Sequence, residues 1–277
     1  MGARVRGVIY RVGRKLRGVR ADVLRTFYPH LWLRQRSLPS RFLKDTSTPA
    51  FTTLLQDLRR HQYKAAVILG NGPSFARVDA EAMRQFRDAH YLTIGLNRTI
   101  YRHITRVLIW SDVETLYSIL GDDSVISQDD PDDPMHVIQA VLPIGAAFRD
   151  QIARWESTQS LRAFHPPKLF MFRTVLTAAL HLCFQLGIDK VLLAGVDFDT
   201  REYFFSTDRY NPTQAYELRS DVELQTHFRG YSTHRIVKEF IESLIQQEGF
   251  EIQYLGDSAF LRTVDGIRKS EQLTPYS

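Results

Sequence analysis

One cysteine in 277 residues, Cys183, excludes an intramolecular disulfide framework and fits a reducing compartment. It lies in an apolar helical run, where a thiol packs as a small hydrophobe far more often than it serves as a nucleophile. No run of about 18 apolar residues occurs, so no membrane-spanning helix is expected. The N-terminus also lacks an uninterrupted apolar core behind its charges, because Arg11, Arg14, Lys15 and Arg17 break it up; no cleaved secretory signal is expected. Zinc-ligand spacing is missing, since His103, His136 and His165 stand apart, and no Ser-His-Asp constellation stands out. No internal repeat is visible.

Acids are nearly absent from the first 41 residues. Eleven Arg or Lys stand there against Asp22 alone, a formal +10, so the remaining chain carries −5 of the total +5. The basic balance belongs to an N-terminal arm, and nucleic-acid binding by the body is not expected. Within the arm, Val5, Val8, Ile9, Val12, Leu16, Val19 and Val23 recur at helical steps, and Phe27, Tyr28, Leu31, Trp32 and Leu33 follow. A basic amphipathic helix with aromatics suits an anionic membrane surface, with residues 4–33 making the contact. The same face also suits docking on the body, a partner or a sister subunit in a homo-oligomer. Residues 37–50 read as a linker, which divides the chain into an arm over 1–48 and a folded domain over 49–277.

What the body does contain is alternation. Apolar runs at 65–69, 91–95, 107–110, 137–142, 190–196 and 250–255 read as strands, and 169–172 as another short one. Helical patterns occupy 51–61, 79–89, 148–157, 175–186 and 235–247. This order predicts an α/β domain, a doubly wound, Rossmann-like and mostly parallel sheet. Residues 121–134 hold six aspartates with no ligand-loop spacing and read as a solvated loop.

In such sheets ligands bind beyond the carboxyl ends of the strands. Here those ends carry small polar residues: Gly70-Asn71-Gly72-Pro73-Ser74, Asn97-Arg98, Ser111-Asp112, Asp197-Phe198-Asp199 and Gly256-Asp257-Ser258. The glycine segment matches neither G-x-G-x-x-G nor a Walker loop. It suits an anion cradle, with amides near Gly70, Asn71, Gly72 and Ser74 meeting a phosphate, and an ordinary strand-to-helix turn is the alternative.

G-N-G-P-S after the first strand, with Asn97 closing the second, resembles the bacterial sialyltransferases of glycosyltransferase family 42. Arg173-Thr174 before an apolar helix and VLLAGVDF resemble a second block of that family. Thr226-His227-Phe228-Arg229-Gly230-Tyr231-Ser232 is similar to its S-H-Y-x-G-H-S segment. The resemblance implies an inverting, metal-independent glycosyltransferase without a cofactor. It would move a sialic acid or related acidic sugar from a CMP-activated donor to a glycan or glycolipid at the inner face of the cytoplasmic membrane. It implies that Asn71, Asn97 and Thr174 hold the donor, that Tyr203 stabilises the departing phosphate, and that a histidine takes the acceptor's proton. The sequence departs where Asp199 replaces a second phosphate tyrosine and Tyr231 aligns with the base, leaving His227 and His234 as candidates. G-N-G-P-S, G-x-N-R, S-D and G-V-D also resemble the 6-hydroxymethylpterin diphosphokinase-like group, which includes motility accessory factors. That resemblance implies ATP and magnesium, with Asp112, Asp197 or Asp199 as ligands. A non-catalytic, nucleotide-binding accessory protein is the remaining alternative.

Overall fold

The computed structural model describes residues 42–43, 49–110, 135–139, 145–164, 169–172, 174–197 and 233–271. In chain order these form β1 (Phe42–Leu43), α1 (Pro49–Arg60), β2 (Ala65–Leu69), a 3₁₀ turn (Pro73–Arg77), α2 (Ala80–Asp88) and β3 (Tyr91–Leu96). A 3₁₀ turn (Asn97–Tyr101), β4 (Val107–Trp110), β5 (His136–Gln139), α3 (Gly145–Thr158) and a 3₁₀ turn (Leu161–Ala163) follow. The remainder is α4 (Val175–Leu186), β6 (Lys190–Ala194), α5 (Thr233–Glu248), β7 (Glu251–Leu255), α6 (Ala259–Arg262) and β8 (Arg268–Ser270).

The strands make one sheet in the order β1-β5-β4-β3-β2-β6-β7-β8, and every adjacent pair is parallel. The chain winds outward from β2 through β3, β4 and β5, then returns to lay β6 on the other side of β2. The expected doubly wound parallel sheet is therefore the observed one. Its central strands are apolar on both faces because both are covered. Ala66 and Ile68 join Leu92, Ile94, Val107, Ile109, Val191 and Leu193 in a core with Leu54, Leu58, Trp155, Leu176 and Phe240 from the helices. The alternate residues Ala65, Val67 and Leu69 pack in a second core with Phe75, Met83 and Phe86. Each Val, Leu, Ile, Phe or Met side chain among them, fully buried, contributes about 1.5–3 kcal/mol.

Local signals set the helix limits. Asp79 caps α2 by accepting from Ala82 N–H at 2.8 Å. Thr174 caps α4, and Gly187, at φ 75°, ends it in the left-handed region. Residues 187–189 lead from α4 into the start of β6, so this helix, about 18 Å long, runs opposite to the strands. Its first turn lies at the carboxyl edge of the sheet. The same holds for α5, which feeds β7 through residues 249–250.

Two expectations need correction. Within the segment read as a linker, Phe42 and Leu43 pair with Val137 and Ile138 as an edge strand, and Pro49 opens α1. Residues 169–172, read as a strand, belong to none of the described strands of the sheet. The opposite, amino edge is closed by its own polar groups. Buried Arg106 donates to Asp57 Oδ2 at 3.0 Å, and His136 Nε2 lies 3.3 Å from the same oxygen.

Candidate functional site

The order of strands changes direction at β2 and β6, and their carboxyl ends are the switch point of the sheet. The loops there are laced together. Gly70 N–H donates to Ala194 C=O at 2.6 Å, and Gly72 N–H to Gly195 C=O at 2.8 Å, extending the ladder past both strands. Ser74 N–H donates to Asp197 Oδ2 at 2.7 Å, and Gly195 N–H donates to Ser74 Oγ at 2.8 Å. The loop after β7 closes the third side, for a Cβ on Gly256 would stand 2.8 Å from Ser74 Cβ.

This lacing explains the glycines. A Cβ at Gly70 would meet Gly195 O at 2.2 Å, and one at Gly72 would meet Asp197 Oδ2 at 2.4 Å. Gly195 combines a left-handed φ of 71° with a virtual Cβ 2.4 Å from Gly70 O. The backbone approach that the glycines permit is to protein, not to a ligand. The expected phosphate cradle is accordingly not formed at Gly70, Gly72 or Ser74, whose amides are spent inside the fold. Pro73 has no amide hydrogen, and Phe75 N–H donates to Gly72 C=O at 3.1 Å.

Asn71 stands differently. It is half-buried, and its Oδ1 is shielded from solvent with no hydrogen-bond partner among the described residues. Asn97 opens the turn after β3 with φ 51°, a conformation that asparagine tolerates better than most residues. Thr174 Oγ1 accepts from Leu176 N–H at 3.2 Å as the cap of α4, which leaves its hydroxyl hydrogen for another acceptor. His234, in the first turn of α5, is half-buried with its ring centroid 4.5 Å from that of Phe260 on α6. At β4's end, the Trp110 indole N–H is buried without a partner among the described residues.

The structure thus brings Gly70, Asn71, Gly72, Ser74, Asn97, Thr174, Asp197 and His234 to one edge. Asp197 is there as a strut, because its carboxylate turns back onto Ser74 and the virtual Cβ positions of Gly72 and Gly256. That orientation does not suit the magnesium ligand which the diphosphokinase resemblance implied. Among the described residues no group of three or more His, Cys, Asp or Glu gathers as metal ligands. Asp112, Asp199, Tyr203, His227 and Tyr231 lie outside the described residues, as do residues 4–33 of the basic arm and the acidic 121–134 segment. Gly195 was not singled out from sequence. Its signal was the symmetry of two apolar strands, AAVIL and KVLLA, each followed directly by glycine.

No family model matches the sequence, and no curated protein matches it. Among solved structures, the chain is similar to the sialyltransferase CstII from Campylobacter jejuni in complex with CMP-3FNeuAc. Identity there is 14% and the TM-score 0.44, over 77% of this chain and 89% of that one. It is similar also to the monofunctional alpha-2,3-sialyltransferase Cst-I from Campylobacter jejuni, at 14% identity and a TM-score of 0.43 over 73% and 79% of the two chains. A CstII structure with trisaccharide acceptor and CMP gives 15% and 0.43 over 77% and 89%.

Proposed function

We propose that the chain is a metal-independent, inverting glycosyltransferase. It moves a sialic acid or related acidic sugar from a CMP-activated donor to a surface glycan or glycolipid. One observation carries the reading: Asn71 Oδ1 is buried at the switch point of a parallel sheet with no donor among the described residues. A buried acceptor left unpaired costs free energy, and such groups cluster where a ligand completes them. Asn97 and Thr174 begin the neighbouring elements at the same edge, and these three positions are the ones the sialyltransferase-like blocks assign to the donor.

In the reaction, the acceptor hydroxyl oxygen bonds to the anomeric carbon as the bond from that carbon to the phosphate oxygen breaks. The electron pair leaves with CMP, and the acceptor's proton passes to an imidazole, His227 or His234. Because the amides of Gly70, Gly72 and Ser74 are occupied, stabilisation of the departing phosphate falls to side chains. Tyr203 supplies it in this reading, and Thr174 lies beside the donor's sugar or carboxylate. The basic arm, residues 4–33, holds the enzyme at an anionic membrane face where lipid-linked acceptors are presented. Among the described residues no helix is long and apolar enough to cross a membrane.

Thermal shift with CMP, CMP-sialic acid and ATP, each with and without magnesium, tests the assignment. Stabilisation by CMP without metal is expected. A shift only with ATP plus magnesium would replace the transferase by pyrophosphoryl transfer, and no shift with any nucleotide would leave an accessory protein. Sedimentation with phosphatidylserine vesicles at low and high salt tests the arm. Salt-sensitive co-sedimentation is expected, and its absence together with a concentration-dependent dimer would assign the arm to a sister subunit.

A further inference from the structure

Residues 169–172 lie beside α4 and pair with none of the described strands. Leu169, Phe170, Met171 and Phe172 are at most 8% exposed, so their backbone groups need partners inside the protein. Side chains provide them. Phe172 N–H donates to Thr177 Oγ1 at 2.9 Å, and Phe170 N–H donates to His181 Nδ1 at 2.6 Å. On the other side, Gln151 Nε2 of α3 donates to Met171 C=O at 2.9 Å.

The register has a geometric cause. Thr177 and His181 stand four residues apart on α4, a rise of about 6 Å. Two residues of extended chain advance about 6.6 Å. A segment antiparallel to the helix therefore offers alternate amides in step with an i, i+4 pair of acceptors. One helix face replaces a neighbouring strand. The lacing continues into the site, where the Thr177 hydroxyl donates to Thr174 C=O at 2.9 Å and Thr174 N–H donates to Phe172 C=O at 2.6 Å. Both backbone polar groups of Thr174 are thus held from the 172–177 corner.

We propose that Thr177, His181 and Gln151 are positioning residues of the donor site, which act through Thr174 by fixing the segment that delivers it to the sheet edge. The inference rests on the reading that this edge binds a CMP-activated sugar. It predicts that removing one rung loosens the donor site more than it loosens the fold.

The test uses the full chain with Thr177→Val, which keeps the shape and removes the hydroxyl, beside Thr177→Ser, which restores it. CMP affinity is measured by calorimetry, and amide exchange at Phe170 and Phe172 by NMR. For Thr177→Val we expect lost protection at Phe172 and CMP binding weaker by about tenfold or more, with Thr177→Ser recovering both. Lost protection with CMP affinity within about twofold of the parent would overturn the positioning role while leaving the nucleotide site intact. If the parent itself binds no CMP, the functional reading fails and the inference falls with it, and the parent titration alone distinguishes that case. Should Thr177→Val fold poorly, Gln151→Met at its half-buried position removes the Met171 rung and is judged by the same two criteria.

Discussion

Ser74 and Asp197 are joined across 123 residues of sequence by the Ser74 N–H donating to Asp197 Oδ2 at 2.7 Å. With the Gly195 N–H to Ser74 Oγ bond, this fastens the loops of β2 and β6 where most doubly wound sheets leave a crevice. In the proposed reading, the donor lies over this joint, not within it.

If Asp197 is a strut, Asp197→Ala leaves the Ser74 N–H without its acceptor and lowers stability by about 1–3 kcal/mol. Asp197→Asn keeps an acceptor and loses less than half of that. Urea unfolding of the two variants measures the difference. Equal losses would mean that negative charge, not the hydrogen bond, is what matters at this position.

Asn71 should behave in the opposite way. Its Oδ1 makes no bond among the described residues, so Asn71→Ala is expected to shift Tm by no more than about 2 °C in either direction. The stabilisation by CMP should vanish in the same melting experiment. A variant that loses several degrees yet still responds to CMP would place Asn71 in the fold and not in the site.

His181 links stability to pH. Unfolded, it titrates near 6.5; in the folded protein burial, outweighing a backbone hydrogen bond to Phe164, holds it down to about 4. Above pH 6.5 both states are neutral and the bond to Phe170 is fully present. As pH falls from 6.5 toward 4, the unfolded chain takes up a proton that the folded protein refuses, and stability declines by up to about 3 kcal/mol. His181→Gln should flatten that part of the profile in denaturant titrations between pH 7 and pH 4. A slope unchanged in the variant would show that other groups carry it. The depressed value also makes His181 unsuited to act as the base.

The base should be separable by single substitution. Of His227→Ala and His234→Ala, the one that removes the base is expected to lower kcat by about 100-fold or more with the KM for CMP-sugar little changed. The other should stay within a few-fold of the parent. Near-parental rates in both would move proton abstraction elsewhere.

Much of the architecture was legible because burial leaves a period. Alternate residues of β2 enter two different cores, which makes AAVIL apolar throughout, and α4 was readable to its last residue since Thr174 caps it and Gly187 ends it. The edges were not legible. β1 has two residues and β8 reads Arg-Lys-Ser, too short and too polar to show alternation. Residues 169–172 carried the apolar signature of a buried strand, and they are buried, but pattern cannot tell a strand partner from a helix that offers Thr177 and His181. The glycines at 70 and 72 showed that something approaches the backbone closely. They could not show that it is Gly195 and Asp197 and not a phosphate.

The joint at Ser74 also has a temporal side. During synthesis β2 meets β3 early, but the partner for its other edge emerges more than 120 residues later, as the 121-residue span from Ser74 to Gly195 requires. At about 5–20 residues per second the ribosome leaves that apolar edge open for roughly 6–24 seconds. An uncovered strand of this kind is a template for pairing with other chains. Nascent chains halted before residue 190 should therefore aggregate or recruit chaperones more than full-length chains do, in which β6 and β7 complete the sheet; equal solubility of the two would show that the edge is shielded by other means.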